Sequence, residues 1–593
     1  MVYIQKITPP PNKLFSFSLK DFSGGFNNRS DELENNQASN ICNMMFTDGD
    51  VMETRFGQKY YDELLLDDEV IFIDEYKPYN DVPVLLRATA TKFYIEGTVL
   101  TTISGKPKGV NHSGRYYFTD GAKLWVYGRF GQVTSTYEKI IGTAVDDYVL
   151  LEVTSPADGH ARLDTAHVKG VLNVDYTNFK VFYEPCENEF VDEYKGANKV
   201  PINANYIVSH NGRLFVSGVE EDDDNIFITH VLNPFYFPVS LPMQIPPNSD
   251  KVVGMDEYDN AVIIGRHHDL YAITGSTNRT DMGVTPFKLI KINSHTGFAS
   301  SSSFNIAHNY LFFLGTDGNA YSLGSTFTDY SRLSTSIISD TIDFEKEPLN
   351  LSLSDLQSAY SKFYQDEWFI AIKDFVFVYS YRHKAWTVYK NINACSFYVK
   401  DYELIWGKSN GRTAMFDKEN FLDFGVPYQS FFYSKRFDMD DATNFNQFRE
   451  YFLVAHTFSD YPSDISVVFE IDYSDVADRV IVTNKVSVWG KAEWGDRFIT
   501  RNINESLPFV IGRRGRTLRF KFSCNYEVDG AVATALDLEH YLGKRDGLLV
   551  YVTGEAKYYL YVNGVWLGLT SIDLNQRMRI YQVNGDYELR GKR

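Results

Sequence analysis

RYYFTDGAKLWVYG, residues 115–128, sets two runs of bulky side chains around an Asp-Gly pair and ends in Gly. Aromatic and β-branched residues suit a pleated, half-buried surface, and Asp-Gly accepts the backbone angles of a tight hairpin turn. The stretch therefore reads as strand, turn, strand. The plan returns in YIVSHNGRLFVSG (206–218), EYDNAVIIGRHHDLYAITG (257–275) and NYLFFLGTDGNAYSLG (309–324), and with longer strands in KFYQDEWFIAIKDFVFVYSYRHKAWTVY (362–389). Counted from Val70, Arg115, Tyr206, Val252, Phe304 and Tyr360, the units follow at steps of 45, 91, 46, 52 and 56 residues. The longest step holds one unit plus an insertion. Several short strands repeated at this spacing predict a β-propeller. One blade cannot cover both faces of its small sheet, whereas blades stacked around an axis cover each other. A pair of β-sandwiches is the competing architecture, and the regular period favours the propeller.

Two segments break the pattern. Residues 130–201 contain strand-like runs at 148–153 and 179–183 without a matching turn unit, which predicts an inserted small β subdomain. Residues 427–545 carry longer, strictly alternating runs at 448–454, 465–473 and 517–522, which predict a β-sandwich or jelly-roll-like domain. The expected division is an N-terminal segment 1–61, propeller parts 62–129 and 202–426 around the insertion, the sandwich, and C-terminal hairpins 546–593 turning at Asn563-Gly564 and Asn584-Gly585. The fold class is all-β. The best short-helix candidate spans residues 31–45, with Asp31 as N-cap.

The chain has 593 residues, 44% apolar and 16% aromatic, with 44 Phe and 41 Tyr, values of a globular protein of more than one packed unit. Its net charge of −19 disfavours nucleic-acid binding unless a basic patch is segregated. Cys42, Cys186, Cys395 and Cys524 lie far apart, so neither a disulfide framework nor a zinc knuckle is expected. The first nineteen residues include Pro9, Pro10 and Pro11 and no apolar core of a signal peptide, and no apolar run is long enough to span a bilayer. Synthesis and folding inside the cell are the expectation.

Catalytic and cofactor patterns are sparse, and no enzyme, cofactor or metal is expected. Gly407-Lys408-Ser409 lacks the upstream glycine of a P-loop, since Tyr402 stands there. His267 and His268 are adjacent, and in a strand they point to opposite faces. The Asp-Gly turns at 119–121 and 316–318 lack the surrounding pattern of sialidase Asp-boxes, and turn-making explains them. Glu220, Glu221, Asp222, Asp223 and Asp224 form an acidic run, and RRGRTLR (513–519) is the one local concentration of positive charge. An intersubunit salt bridge with acidic neighbours is the expected use of those arginines.

FSGGFNNRSDELENNQASNICNMMFTDGDVMETRFGQKYY, residues 22–61, resembles the opening of the tail nozzle (tail hub) proteins of short-tailed bacteriophages, and is similar to their packaged-DNA-stabilisation proteins. Gly24, Gly25, Asn27, Leu33, Ala38, Asn43, Asp48, Gly49, Arg55 and Gly57 carry the match. NGRLFVSG (211–218), VLNPFYFP (231–238), WGKAEWGDRF (489–498) and GRRGRTLRFKFS (512–523) extend it, while 130–201 and the residues after 548 match nothing in that family. The resemblance implies a structural virion protein. It would form a ring, sixfold in that family, below the portal and adaptor, with contacts to tail fibre or tail tip proteins. Double-stranded DNA would pass through its exit channel without specific binding and be retained until ejection. Glu220–Asp224 or the 281–285 region would face the lumen or rim, and Gly24, Gly25, Asn27, Arg29 and Arg55 would form an assembly clip to a neighbouring subunit. An intramolecular cap on the propeller is the alternative use of that segment. A propeller that binds or cleaves surface glycans for host recognition is the alternative function, with aromatic strand ends stacking on sugars.

Overall fold

The structure is a computed structural model that describes residues 14–47, 51–129, 138–141, 148–153, 162–163, 169–170, 180–183, 200–201, 203–220, 222–229, 234–235, 237, 243–247, 250–275, 287–324, 335–439, 445–457, 463–473, 478–484, 503–524, 528–541, 548–562, 565–569 and 576–589. Among the described residues the one α-helix is Leu353–Leu356, and no helix is long and apolar enough to cross a membrane.

Among the described residues seven sheets follow one another as blades, each a meander of antiparallel strands. Their first strands are Phe72–Tyr76, Lys108–His112, Tyr206–His210, Val252–Tyr258, Phe304–Ala307, Tyr360–Tyr364 and Ala394–Lys400. We number the blades 1 to 7 in that order. Alternation along each strand sends neighbouring side chains to opposite faces, so every middle strand feeds two interfaces. In blade 6, Trp368, Ile370 and Ile372 pack toward blade 5, whereas Phe369 and Ala371 pack toward blade 7. In blade 2, Tyr116 and Phe118 meet blade 1, and Tyr117 meets blade 3. The last interface joins Ile405 of blade 7 to Ile73, Leu85 and Tyr94 of blade 1 and closes the wheel. Each fully buried large apolar side chain contributes roughly 1.5–3 kcal/mol through lost water contact.

Closure is also braced by strand pairing between the start of the chain and the last blade. The outer strand of blade 7 is Gly57–Tyr60, from the start of the chain, paired antiparallel with Thr413–Asp417. Gly57 is required there: a Cβ would stand 2.2 Å from the Leu422 carbonyl oxygen.

The sandwich draws on both ends of the chain. One sheet runs Met44–Thr47, Val51–Thr54, Arg579–Leu589, Asn446–Thr457 and Ile503–Val510, with Leu14–Leu19 also on Arg579–Leu589. The other runs Gly25–Phe26, Gln37–Cys42, Ser430–Phe437, Leu518–Cys524, Ser463–Ile471 and Asp478–Asn484. Phe432, Phe448, Tyr451, Val467 and Phe520 fill the space between them, in one continuous core with Phe312 of blade 5 and Trp368 and Trp386 of blade 6. Val528–Val532, Leu548–Val552, Lys557–Val562 and Val565–Gly568 make a separate sheet. Inside the insertion, Glu138–Ile141, Lys180–Tyr183 and Arg162–Leu163 form a three-stranded sheet.

Several local expectations are corrected. The helix expected over 31–45 is instead strand Gln37–Cys42 and strand Met44–Thr47, because Ser430–Phe437 takes up the backbone bonds of the first, with Ile41 opposite Phe432. Tyr148–Val153 is the fourth strand of blade 2, paired with Leu124–Arg129, and not part of the inserted sheet. Asn584 and Gly585 lie within the long strand Arg579–Leu589, where Gly585 leaves room for the Tyr451 ring, 2.1 Å from a notional Cβ. Asn563 and Gly564 lie outside the described residues.

Candidate functional site

The first strands of the blades line a cavity on the propeller axis with a volume of about 300 Å³. Asp74 of blade 1, Lys106 and Lys108 at the entry to blade 2, Ser209 of blade 3, Asp256 of blade 4, Asn305 of blade 5, Lys362 of blade 6 and Tyr398 of blade 7 all reach it. Blades 2 and 5 stand on opposite sides of the axis, yet their residues touch. Lys106 Nζ donates to Ser302 Oγ at 2.7 Å and lies 4.0 Å from the centre of the Tyr360 ring. Lys108 Nζ donates to the Ser301 carbonyl oxygen at 2.7 Å. The two lysines bolt the axis across.

The carboxylates are held by neighbouring groups of their own and adjacent blades. Asp74 Oδ2 accepts from the Tyr116 hydroxyl at 2.5 Å, Asp256 Oδ1 accepts from the Glu257 amide at 2.8 Å, and Glu257 Oε1 stands 2.7 Å from His210 Nδ1. Lys362 Nζ is 5.8 Å from the Tyr398 ring centre. Among the described residues none of Lys106, Lys108 and Lys362 has an ion-pair partner within contact distance. Enclosure takes water from both kinds of charge. It pushes Asp74 and Asp256 up and Lys108 down, and it pushes Lys106 well below the ordinary lysine value, with Lys108 adding like-charge repulsion.

The second arrangement is the seam between propeller and sandwich. Its centre is Arg55, which gives Asp423 two hydrogen bonds at 2.9 and 2.6 Å and donates to Asn43 Oδ1 at 2.9 Å and to the carbonyls of Phe56 and Lys390 at 2.8 and 3.1 Å. Its guanidinium lies 3.9 Å from the Tyr428 ring centre. Asp423 raises the Arg55 value against the opposing effect of burial, so the charge is fixed. Asn43, in the left-handed region at φ 55°, bonds from its amide N–H to the Val388 carbonyl at 2.8 Å and accepts the Lys390 amide at 2.8 Å. These bonds cover the edge strand Ala385–Lys390 of blade 6.

The expected clip residues lie on or beside this seam and contact their own chain. Gly25, at φ +63°, passes so close to blade 6 that a Cβ would meet the Trp386 carbonyl oxygen at 2.5 Å. Gly24 lies against the Asn36 side chain. Asn27 caps the turn that follows it, accepting the amides of Arg29 and Ser30 at 3.1 Å each, while Arg29 reaches Asn319 Oδ1 at 2.7 Å.

In the acidic run, Glu220 is exposed, Glu221 lies outside the described residues, and the other three are engaged within the chain. Asp222 accepts from Asn225 at 2.6 Å, Asp223 accepts the Val252 amide at 3.1 Å, and Asp224 pairs with the fully buried Arg266. This run ties blade 3 to blade 4. Residues 281–285 lie outside the described residues. Of the basic segment, Arg519 belongs with Arg436 and Lys521 around Glu470. His268 faces Asp250 at 3.1 Å.

Sequence reasoning missed Asp74, Lys106, Lys108, Asp256 and Lys362. The available signal was a polar residue inside the otherwise apolar first strand of a unit, as in FIDEY, VVGMDEY and YSKFY.

No family model and no curated protein matches the sequence. Among solved structures the chain is similar to the computationally designed Ika8 protein, at 10% identity and TM-score 0.31, over 59% of this chain and 97% of that one. It is similar also to the WD40 domain of Neurospora crassa Pan2, at 8% identity and TM-score 0.31, over 64% and 99%. A third is the dihydro-heme d1 dehydrogenase NirN in complex with DHE, at 10% identity and TM-score 0.29, over 59% and 62%. At such scores these likenesses carry no functional argument, and the β-propeller with its attached sandwich stands on the strand order and interblade packing.

Proposed function

We propose that this chain is a structural virion protein of a bacteriophage tail. It assembles with copies of itself into a nozzle or hub ring beneath the adaptor at the head–tail connector, contacts fibre or tip proteins, and keeps packaged DNA in place until ejection. It is made in the host cytoplasm and works in the particle without catalysing a reaction.

The observation that carries the reading is where the resemblance falls. Gly25, Asn43, Arg55 and Gly57, four of the residues that match the nozzle proteins, hold the N-terminal strands against blades 6 and 7. Those four positions make one body of propeller and sandwich, as a part loaded by DNA pressure needs. With Lys106 and Lys108 across a cavity of about 300 Å³, the DNA path in this reading runs between protomers and not through the propeller. A net charge of −19 keeps the wall of such a path from holding phosphates.

The test is a phage lacking this chain, compared with its parent by electron microscopy and DNA content. The expected result is particles that lack a ring below the connector and lose DNA, with fibre-dependent adsorption retained. Particles that keep their DNA and lose only host adsorption, or glycan binding by the purified chain, would overturn the reading in favour of host recognition.

A further inference from the structure

We propose that the Lys106–Lys108 corner of the axial cavity binds an oxyanion, either the free ion or the phosphate or carboxylate group of a small molecule, bridging Lys106 and Lys108. The inference does not depend on the assembly the chain enters.

Lys106, Lys108 and Lys362 line the cavity together with Asp74, Asp256 and Glu257, and the first two lysines share one corner of it, at Ser301 and Ser302. An enclosed charge without a counter-charge costs several kcal/mol, and neutral hydrogen bonds offset only part of that. Lys106 has Ser302 Oγ and the Tyr360 ring, and Lys108 has the Ser301 carbonyl. None of the three carboxylates that line the cavity is in contact with an ammonium, since Asp74 is turned to Tyr116, Asp256 to the Glu257 amide and Glu257 to His210. Lys108 repels Lys106, whereas Asp256 and Asp74 act on Lys108 without touching it. Among the described residues the corner around Lys106 therefore sets two cations beside hydroxyls with no anion in contact, and an oxyanion supplies what is missing. The volume, about 300 Å³, lies at the lower end of small-molecule sites, which limits the ligand to a compact ion or metabolite.

Isothermal titration of the full chain at low ionic strength with inorganic phosphate, glycerol 3-phosphate and citrate tests this, with chloride as the control. Saturable one-to-one binding of at least one of the three is expected, weakened about tenfold or more in Lys106→Met and in Lys108→Met at unchanged far-UV circular dichroism. Tighter binding of inorganic phosphate identifies the free ion, and tighter binding of either organic probe identifies a group carried by a molecule. No saturable heat from any of the three, or equal affinity in both variants, overturns the proposal. Should Lys106→Met fail to fold, Lys108→Met decides alone by the same criterion.

Discussion

Two enclosed cationic sites in this molecule are built on opposite plans. At the seam, Arg55 has a carboxylate, three oxygen acceptors of neutral groups and an aromatic face, and its donors are taken up by the fold. On the axis, Lys106 has one hydroxyl and one ring. A planar guanidinium with a bidentate partner is suited to a permanent internal bond, whereas an ammonium on a flexible stem adapts to a ligand and loses its proton more readily when enclosed. The difference separates a joint from a site. The Arg55 cluster leaves no valence for anything outside the chain, and the axial cluster does.

The comparison breaks most visibly at the joint. Arg55→Met strands the Asp423 carboxylate in a buried position, and the expected loss is about 3–5 kcal/mol in chemical denaturation. Arg55→Met combined with Asp423→Leu removes both charges and should recover much of that loss. If the double variant is as unstable as the single one, the pair is not what holds the seam.

A second test uses a charge that shares a cavity with Arg55 but not its partner. Glu367 lines that space of about 270 Å³ with Arg55, Tyr389 and Lys418, and burial pushes its carboxyl up to about 8, with Asp366 adding repulsion. A carboxyl raised above its unfolded value of 4.5 is favourable in the fold while protonated. Its contribution is therefore complete below about pH 4.5 and lost as pH rises through about 8. Thermal or urea unfolding between those limits should show a decline on the order of 2–3 kcal/mol from this group. Glu367→Gln should remove that slope and be the more stable chain at pH 8. Parallel pH profiles for the two chains would place Glu367 in water.

The propeller was legible because its signals are local. The runs around Asp120-Gly121 and Asn211-Gly212 announce strand, turn and strand within a dozen residues, and burial on both faces needs no distant partner to be recognised. Blade 7 was not singled out, because its outer strand, Gly57–Tyr60, comes from the far end of the chain and no local pattern reports that pairing. The helix expected at 31–45 failed for the same reason: the partner of Gln37–Cys42 is Ser430–Phe437. Asn584-Gly585 reads as a turn from propensity alone, and the Tyr451 ring that occupies the space above Gly585 decides otherwise. The pairing of Arg55 with Asp423 left no local signal, because the two residues are far apart in the chain. The axial residues were invisible as a group, since Asp74, Lys108, Asp256 and Lys362 sit in four separate strands that only ring closure brings together.

The smallest expected effect is at the axis itself, and it sharpens the contrast with Arg55. Lys106→Met keeps the length and apolar stem of the side chain and removes a charge that enclosure disfavours. Where Arg55→Met destabilises, Lys106→Met in ligand-free protein should stabilise, by about 1 kcal/mol near neutral pH, because no buried anion is left behind. The sign of its pH dependence follows from the depressed lysine value. Between the folded and unfolded values the unfolded chain binds the extra proton, so wild-type stability rises with pH there and the advantage of the variant shrinks. Differential scanning calorimetry of both chains at neutral and at mildly alkaline pH, in chloride without oxyanions, measures this. A variant less stable than wild type at neutral pH would mean that Ser302 and the Tyr360 ring already satisfy the ammonium, and that the axis is a second joint like the seam.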